Sequence, residues 1–184
     1  FKGGIGTSSR RVRVGDVVYT LGALVQSNFG RADQLRVDGV PVGRELLRAR
    51  AEDQRDRREE QGSIIVIVAT DAPLLPHQLD RVARRVSLGI ARVGSTSGNG
   101  SGDIFLAFST ANRGAAIATQ ADLVMLANHK LSALFDATVQ ATEEAILNAM
   151  VAAETMVGRA GHRSEALPHD QLCELLERFG RLKK

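Results

Sequence analysis

The chain has 184 residues, of which 43% are hydrophobic and 24% are charged. This balance excludes general disorder, and the length fits one domain or at most two small ones. The net charge of +3 is small and evenly spread, so no nucleic-acid partner is expected. The longest uninterrupted aliphatic run has six residues, 64–69. A membrane-spanning helix needs about 18, so no membrane partner is expected either.

The single cysteine, Cys173, cannot form an internal disulfide or build a zinc site alone. We therefore expect a reducing compartment, the cytoplasm. The histidines lack the spacing of metal ligands, so no metal and no other cofactor is expected. These histidines are His77, His129, His162 and His169. The chain opens at Phe1 without an initiator Met or a signal-like segment, so we expect a piece of a longer protein.

The first third of the chain predicts strands followed by a charged segment. Residues 12–26 are rich in Val and Leu and predict one or two β-strands. The SNFG sequence at 27–30 predicts a turn, and the Asp38-Gly39 pair predicts a hairpin within a short strand at 35–42. Residues 44–61 combine six arginines with six acidic residues and have almost no apolar content after Leu47. This pattern predicts a solvated helix face or a mobile linker.

The composition changes abruptly at Gly62-Ser63, and the rest of the chain predicts alternating strands and helices. The β-branched run at 64–69 predicts a buried central strand, ended by Asp71-Ala-Pro. A helix is predicted over 76–93, followed by a small-residue loop at 94–103 and a strand at 104–110. The helix has one apolar face and one basic face, made respectively of Leu79, Val82, Ala83, Val86 and Ile90, and of Arg81, Arg84 and Arg85.

Two further helical regions complete the prediction. One covers 131–157 as a long helix or a helix pair, and an amphipathic helix covers 168–179 and is ended by Gly180. The order of the elements predicts a mixed α/β class with helices packed on sheets.

The loop GSTSGNGSGD at 94–103 is one candidate for chemistry. Glycine-rich loops expose backbone N–H groups that can hold phosphate. This loop lacks the Lys-Ser/Thr pair of a P-loop and leads into a strand rather than a helix. A tight structural turn, a phosphate site and a loop that brings polar side chains to a site all stay open.

The Gly62-Ser63 junction is the second candidate. Cleavage between these residues would leave Ser63 with a free α-amino group at the head of a core strand. Such an amine has a pKa of about 7.7 to 8.0. It can therefore serve as the general base for its own hydroxyl, without a histidine. A Gly-Ser pair before a strand is also common in proteins without this chemistry, so both interpretations stay open.

Two segments closely resemble the DmpA-type aminopeptidases, which are the L-aminopeptidase/D-esterases and the β-peptidyl aminopeptidases. They are GSIIVIVATDAPLLPHQLDRVARR and SGNGSGDIFLAFSTAN. FKGGIGTSSR, LVQSNFGR and VDGVPVGREL resemble the end of that family's α-chain. ATEEAILNAM and ALPHDQL resemble the rest of its β-chain. The resemblance covers essentially the whole sequence.

The resemblance implies one domain with an α-β-β-α sandwich fold of the N-terminal-nucleophile kind, here without its N-terminal part. Residues 1–62 would be the C-terminal part of the α-chain, with the charged mobile linker at 44–62, and residues 63–184 would be the β-chain. The family's precursors cut themselves before a serine and their two chains stay associated. A homo-oligomer of αβ units is also implied.

The implied function is a self-processing serine aminopeptidase. It would remove N-terminal amino acids from small peptides, amides or esters with a free amino terminus. The implied cleavage falls between Gly62 and Ser63, and Ser63 is the implied nucleophile, with its own amine as the base. Ser101 would hydrogen-bond that amine or relay its proton, and Asp103 would orient the amine and hold its charge. Asn28 would donate its side-chain amide to the oxyanion.

From the residues alone, simpler roles are available for the same positions. Asn28 and Asp103 suit turns, Ser101 suits a loop, and Asp71 suits a strand end, although Asp71 also falls close to the expected site along the chain. Glu143 and Glu144 fit a helix surface and receive no role. The family's oxyanion tyrosine and its acidic residue for the substrate amino group lie in the N-terminal portion and map onto nothing in this sequence.

Three other functions stay open at this point. An acyltransferase of related fold would pass the acyl group to an amine, but such relatives usually carry Thr where this chain has Ser63. A non-catalytic phosphate- or nucleotide-binding module would use residues 94–103. An inactive truncated fragment is the third.

Overall fold

The computed structural model describes residues 1–49 and 62–182 of the chain. Its largest element is a four-stranded sheet in the order β1-β2-β3-β4. The strands are β1 (Gly4–Val14), β2 (Val17–Asn28), β3 (Ser63–Thr70) and β4 (Ile104–Ser109). Pairing is antiparallel for β1 with β2 and for β2 with β3, and parallel for β3 with β4. The parallel pair requires a crossover, and α2 (Pro76–Arg92) provides it.

The strand region predicted at 12–26 is two strands joined by a tight turn at residues 15–16. The turn predicted at 27–30 begins later than expected, because Ser27 and Asn28 still pair with β3 as the last residues of β2. This extension of β2 matters for the site, since it brings Asn28 opposite the first residue of β3.

The strand predicted at 35–42 is wrong apart from its turn. Asp38 and Gly39 have φ values of +47° and +77°, as a two-residue hairpin turn requires. Among the described residues, however, the pairing around them is limited to a single bridge between Val37 and Val40. Pro41 has no N–H for a ladder and suits the position just before a helix. Helix α1 (Val42–Ala49) follows it directly. The rest of the predicted charged linker, residues 50–61, lies outside the described residues.

The predicted helices are largely confirmed. In α2 the apolar face is buried against the core, including Val82, Val86 and Ile90. Helix α3 (Ser132–Val151) ends earlier than the predicted 131–157, since Thr155, Val157 and Gly158 belong to residue types that disfavour a helix. Strands β5 (Met156–Val157) and β6 (Arg163–Ser164) form a small hairpin there. Helix α4 (His169–Arg178) matches its prediction within a residue at each end.

The two faces of the sheet differ sharply. Helix α3 packs on β1 and β2, while α2 packs on α3 and β4, so one face is covered. The strand residues of that face are almost fully buried, among them Leu21, Ala23, Val25, Ile64, Val66 and Val68. The opposite face, called the open face below, carries apolar side chains that are 39 to 68% exposed: Ile5, Leu24, Ile65, Ile104, Leu106 and Phe108. The described residues therefore form one helical layer and one sheet layer of the predicted sandwich.

The longest described helices do not combine the length and the apolar character needed to cross a bilayer, and neither does any shorter helix within the described ranges.

Candidate active site

The site begins with two residues that face each other across neighbouring strands. Asn28, the last residue of β2, is the register partner of Ser63, the first residue of β3. Directly opposed residues in an antiparallel pair place their side chains on the same face, with Cβ atoms about 4.5 to 5.5 Å apart. Alternation along β3 puts Ser63 with Ile65 on the open face. Among the described residues, the side-chain amide of Asn28 has no hydrogen-bond partner, so it is available to a ligand next to Ser63.

The residue before Ser63 fits only as glycine. A Cβ atom added to Gly62 would lie 2.1 Å from the backbone oxygen of Asn28. Real Cβ atoms do not approach an oxygen so closely. The Gly62–Ser63 peptide bond is therefore held directly against the end of β2, beside the Asn28 side chain.

The loop at 94–103 reaches Ser63 from the other side. The backbone N–H of Gly102 donates a hydrogen bond of 2.9 Å to Ser63 Oγ. Of the three interpretations of the loop that the sequence left open, this contact favours a loop that brings polar groups to a site. One N–H group of the loop donates to the Ser63 hydroxyl.

Asp103 joins the loop to the head of β3. Its Oδ1 accepts a hydrogen bond of 3.0 Å from the Ile64 N–H and one of 2.6 Å from Ser101 Oγ. Pairing between β3 and β4 begins only at Ile65 and Ile104, so the Asp103 carboxylate supplies the partner that the sheet does not give to Ile64. The structure thus brings together all four residues that the sequence assigned to the site: Asn28, Ser63, Ser101 and Asp103.

One further residue contacts this group. Ser97 Oγ donates a hydrogen bond of 2.9 Å to Asp103 Oδ2, the oxygen that Ser101 and Ile64 do not use. Sequence reasoning did not single out Ser97, because nothing distinguishes it from Ser95 two residues earlier. Only the path of the loop shows which serine reaches the carboxylate.

The other candidates lie away from the site. Asp71 Oδ1 accepts a 2.7 Å hydrogen bond from the Thr20 N–H, which confirms its role at the strand end. It follows the far end of β3, about 25 Å from Ser63 at the usual rise of a strand. The expected closeness of Asp71 to the site is therefore wrong. Glu143 and Glu144 form ion pairs on α3, with Arg92 and Arg10 respectively.

A cavity of about 750 Å³ adjoins the Gly62–Ser63 junction. Its wall includes Asn28 and Gly62, and its charged or titratable lining residues are Lys2, Arg31 and His162. Within residues 1–49 and 62–182, no three His, Cys, Asp or Glu side chains are grouped as metal ligands would be.

The chain is similar to known proteins over nearly its whole length. Residues 1–164 match the model of peptidase family S58. Over 198 residues the chain is 46% identical to β-peptidyl aminopeptidase BapA of Sphingosinicella microcystinivorans, covering 99% of this chain and 49% of that relative. A solved structure, the PH0078 protein from Pyrococcus horikoshii OT3, is 48% identical to this chain with a TM-score of 0.88. The match covers 98% of this chain and 49% of that one.

A second solved structure is the L-aminopeptidase D-Ala-esterase/amidase of Ochrobactrum anthropi. It is 46% identical with a TM-score of 0.85, and the match covers 100% of this chain and 50% of that one. It is described as a prototype of the serine aminopeptidases and as a new variant of the Ntn (N-terminal-nucleophile) hydrolase fold. This chain therefore spans about half the length of the relatives it matches.

The sheet and its helical layer are those of the Ntn-hydrolase fold, which confirms the predicted fold class. The chain belongs to peptidase family S58, and the predicted resemblance to the DmpA-type aminopeptidases is confirmed with it.

Proposed function

We propose that the protein containing this chain is a self-processing serine aminopeptidase whose nucleophile is Ser63. The observation that carries the proposal is the placement of Ser63. It is the first residue of a central strand, with Asn28 opposite it and the Gly102 N–H on its hydroxyl. A residue at that position needs only one peptide bond cut to expose an amine beside its own hydroxyl.

Self-cleavage would use the same hydroxyl against the preceding peptide bond. Ser63 Oγ attacks the Gly62 carbonyl carbon, and the C–N bond breaks as the nitrogen takes up a proton. An ester between Gly62 and the Ser63 side chain results. Water then hydrolyses this ester, which leaves a carboxylate on Gly62 and a free hydroxyl and amine on Ser63.

Turnover would follow the same chemistry on a substrate. The Ser63 amine takes the hydroxyl proton as Oγ attacks the substrate carbonyl, then gives a proton to the leaving amine or alcohol. Asn28 donates to the oxyanion of the tetrahedral intermediate. Asp103 orients the amine and balances its charge, and Ser101 hydrogen-bonds the amine or relays its proton. Water hydrolyses the acyl-enzyme and releases the amino acid.

The substrates proposed are small peptides, amides or esters with a free amino terminus, in line with the names of the relatives. The half of those relatives that this chain does not span would cover the open face and complete the substrate pocket. After cleavage, β2 and β3 would remain neighbours in one sheet, which supports continued association of the two chains. A homo-oligomer of such units in the cytoplasm completes the proposal.

The decisive test is the mass of the denatured full-length protein, with and without Ser63. The wild type should give two species, one of which begins at Ser63. Ser63→Ala should give one uncut species and no aminopeptidase activity. Ser9→Ala is the matched control, because Ser9 is an exposed serine on the open face of β1. An uncut wild type, or a Ser63→Ala protein that still splits before residue 63, would contradict the mechanism.

A further inference from the structure

We propose that Ser97 is a positioning residue that acts on the nucleophile through Asp103. The inference rests on the proposed function, since it assigns to Ser97 the orientation of the carboxylate that serves the Ser63 amine. Ser97 does not touch Ser63. Its Oγ lies 2.9 Å from Asp103 Oδ2 and donates to it.

Within the described part of the chain, the Asp103 carboxylate has three donors, and they divide unequally between its oxygens. Oδ1 accepts from the Ile64 N–H and from Ser101 Oγ, whereas Oδ2 accepts from Ser97 Oγ. The terminal torsion of an Asp side chain is broad and roughly two-fold. Contacts on Oδ1 alone therefore leave the plane of the carboxylate free to tilt. A donor on Oδ2 fixes that plane, and with it the direction from which the carboxylate faces the head of β3.

The backbone of Ser97 supports a specific role rather than a loop filler. Its φ is +48°, in the left-handed region that non-glycine residues seldom adopt. The Ser97 N–H donates to Ser95 Oγ at 3.1 Å, which holds this conformation. Gly98 and Gly100 are close by in the same loop, and glycine would fit the left-handed position without strain. A serine at this position has a more strained backbone than a glycine would have, but it provides a hydroxyl that reaches Asp103.

The effect of Ser97 should appear in the protonation of the Ser63 amine. A hydrogen bond from Ser97 withdraws charge from the carboxylate. Its loss would let Asp103 hold a proton on the amine more strongly, and the amine would lose that proton only at higher pH. Among the described residues, the other charged or titratable side chains that line the cavity beside the Gly62–Ser63 junction are Lys2, Arg31 and His162. Changes at Ser97 leave all three in place.

The test uses the full-length protein and three substitutions. Ser97→Gly removes the hydroxyl and keeps the left-handed backbone. Ser97→Asn keeps a side-chain donor and also tolerates that backbone. Thr96→Ala is the matched control, because Thr96 is an exposed neighbour in the same loop and its side chain makes no hydrogen bond among the described residues. For each protein, kcat and KM are measured across pH, together with the rate of self-cleavage and the melting temperature.

We expect Ser97→Gly to lower kcat about tenfold, which is the size of one hydrogen bond to a charged group. KM should change little, and the acidic limb of kcat/KM should move to higher pH. Ser97→Asn should restore part of kcat and move the limb back, and Thr96→Ala should match the wild type. A Ser97→Gly protein with unchanged kcat and an unmoved limb would overturn the inference, and so would one that only melts at lower temperature.

The proposed function and this inference fail in different ways. A wild type that neither cuts itself nor releases amino acids removes the proposed function. A wild type that does both, with Ser97→Gly identical to Thr96→Ala, removes only the role of Ser97.

Discussion

At the scale of single residues, the pairing of Asn28 with Ser63 carries the most specific consequence. The Asn28 side chain is exposed, lies on the same face of the sheet as Ser63 and has no hydrogen-bond partner among the described residues. A side chain that donates only to the oxyanion contributes to the transition state and little to substrate binding.

Asn28→Ala in the full-length protein should therefore lower kcat by about 100- to 1,000-fold and leave KM nearly unchanged. Steady-state kinetics on an amino-acid amide would measure both. Gln26→Ala is the matched control, because Gln26 is two residues earlier on the same face of β2 and opposite Ile65. A rise in KM at constant kcat would show instead that Asn28 binds the ground state of the substrate.

The residues of the site were identifiable from sequence to different degrees. Ser63 could be proposed from Gly-Ser at the head of an apolar run, and Asn28, Ser101 and Asp103 through the family motifs around them. Their geometry could not be predicted, since Asn28 and Ser63 meet only through the register of two strands that are 35 positions apart in the chain. Nothing in the sequence points to Ser97, because its contact with Asp103 depends on its left-handed backbone conformation in a loop of small residues.

At the scale of elements, an ion pair ties β1 to α3. Arg10 lies 2.5 Å from Glu144, and Arg10 Nε donates to Gln140 at 3.3 Å. The hydrogen bond from Arg10 holds the pKa of Glu144 below its ordinary value of 4.5, more than burial raises it. Both side chains remain partly exposed, so water and salt screen the pair.

Because the pKa of Glu144 is lowered by folding, the pair stabilises the fold fully above the ordinary glutamate pKa. The contribution disappears as pH falls through the lowered value. Glu144→Gln should lower the free energy of unfolding by about 0.5 kcal/mol at pH 7, and the difference should vanish in acid.

Urea unfolding in a Ser63→Ala background, in which the proposed cut would not occur, would measure this difference. Glu174→Gln is the control, since Glu174 is exposed on α4 and forms no ion pair among the described residues. A loss of stability that persists unchanged in acid would mean that Glu144 acts through packing instead of charge.

The elements predicted correctly from sequence were those whose residue pattern is typical of one kind of secondary structure. The β-branched run of β3 is typical of a strand, and the periodic apolar face of α2 is typical of a helix. The strand expected at 35–42 was wrong, although its turn is present. The apolar residues around the turn are also compatible with a helix, and Pro41 favours a helix that begins directly after it. The far end of α3 was extended too far because Ala153 and Glu154 suit a helix, while the residues that pair as β5 follow them.

At the scale of the whole molecule, the most prominent feature is the exposed apolar surface of the open face. Leu106 and Phe108 are 54% and 43% exposed, beside Ile65 and Leu24 on neighbouring strands. Exposed apolar patches on soluble proteins mark surfaces that bind another partner or aggregate. This chain spans about half the length of its relatives, so the remainder of the polypeptide is the proposed cover.

The 184-residue chain expressed alone should therefore self-associate and bind a hydrophobic dye, whereas the full-length protein should do neither. Sedimentation velocity and dye fluorescence would show the contrast. Leu106→Ser should reduce both signals in the isolated chain. Leu88→Ser should not, because Leu88 is an exposed leucine on α2, on the other side of the sheet. A monomeric, dye-free isolated chain would mean that the face is compatible with water as it stands.

The pairing of β2 with β3 has a consequence for how long the enzyme would last at low concentration. Eight residue pairs join these strands, at the centre of the sheet, and the proposed cut would assign each strand to a different product. Two products joined in this way would differ from subunits in a reversible, concentration-dependent association equilibrium. Their separation would mean opening the core itself, at the rate of global unfolding. The working lifetime of such an enzyme would depend on temperature and not on how far it is diluted.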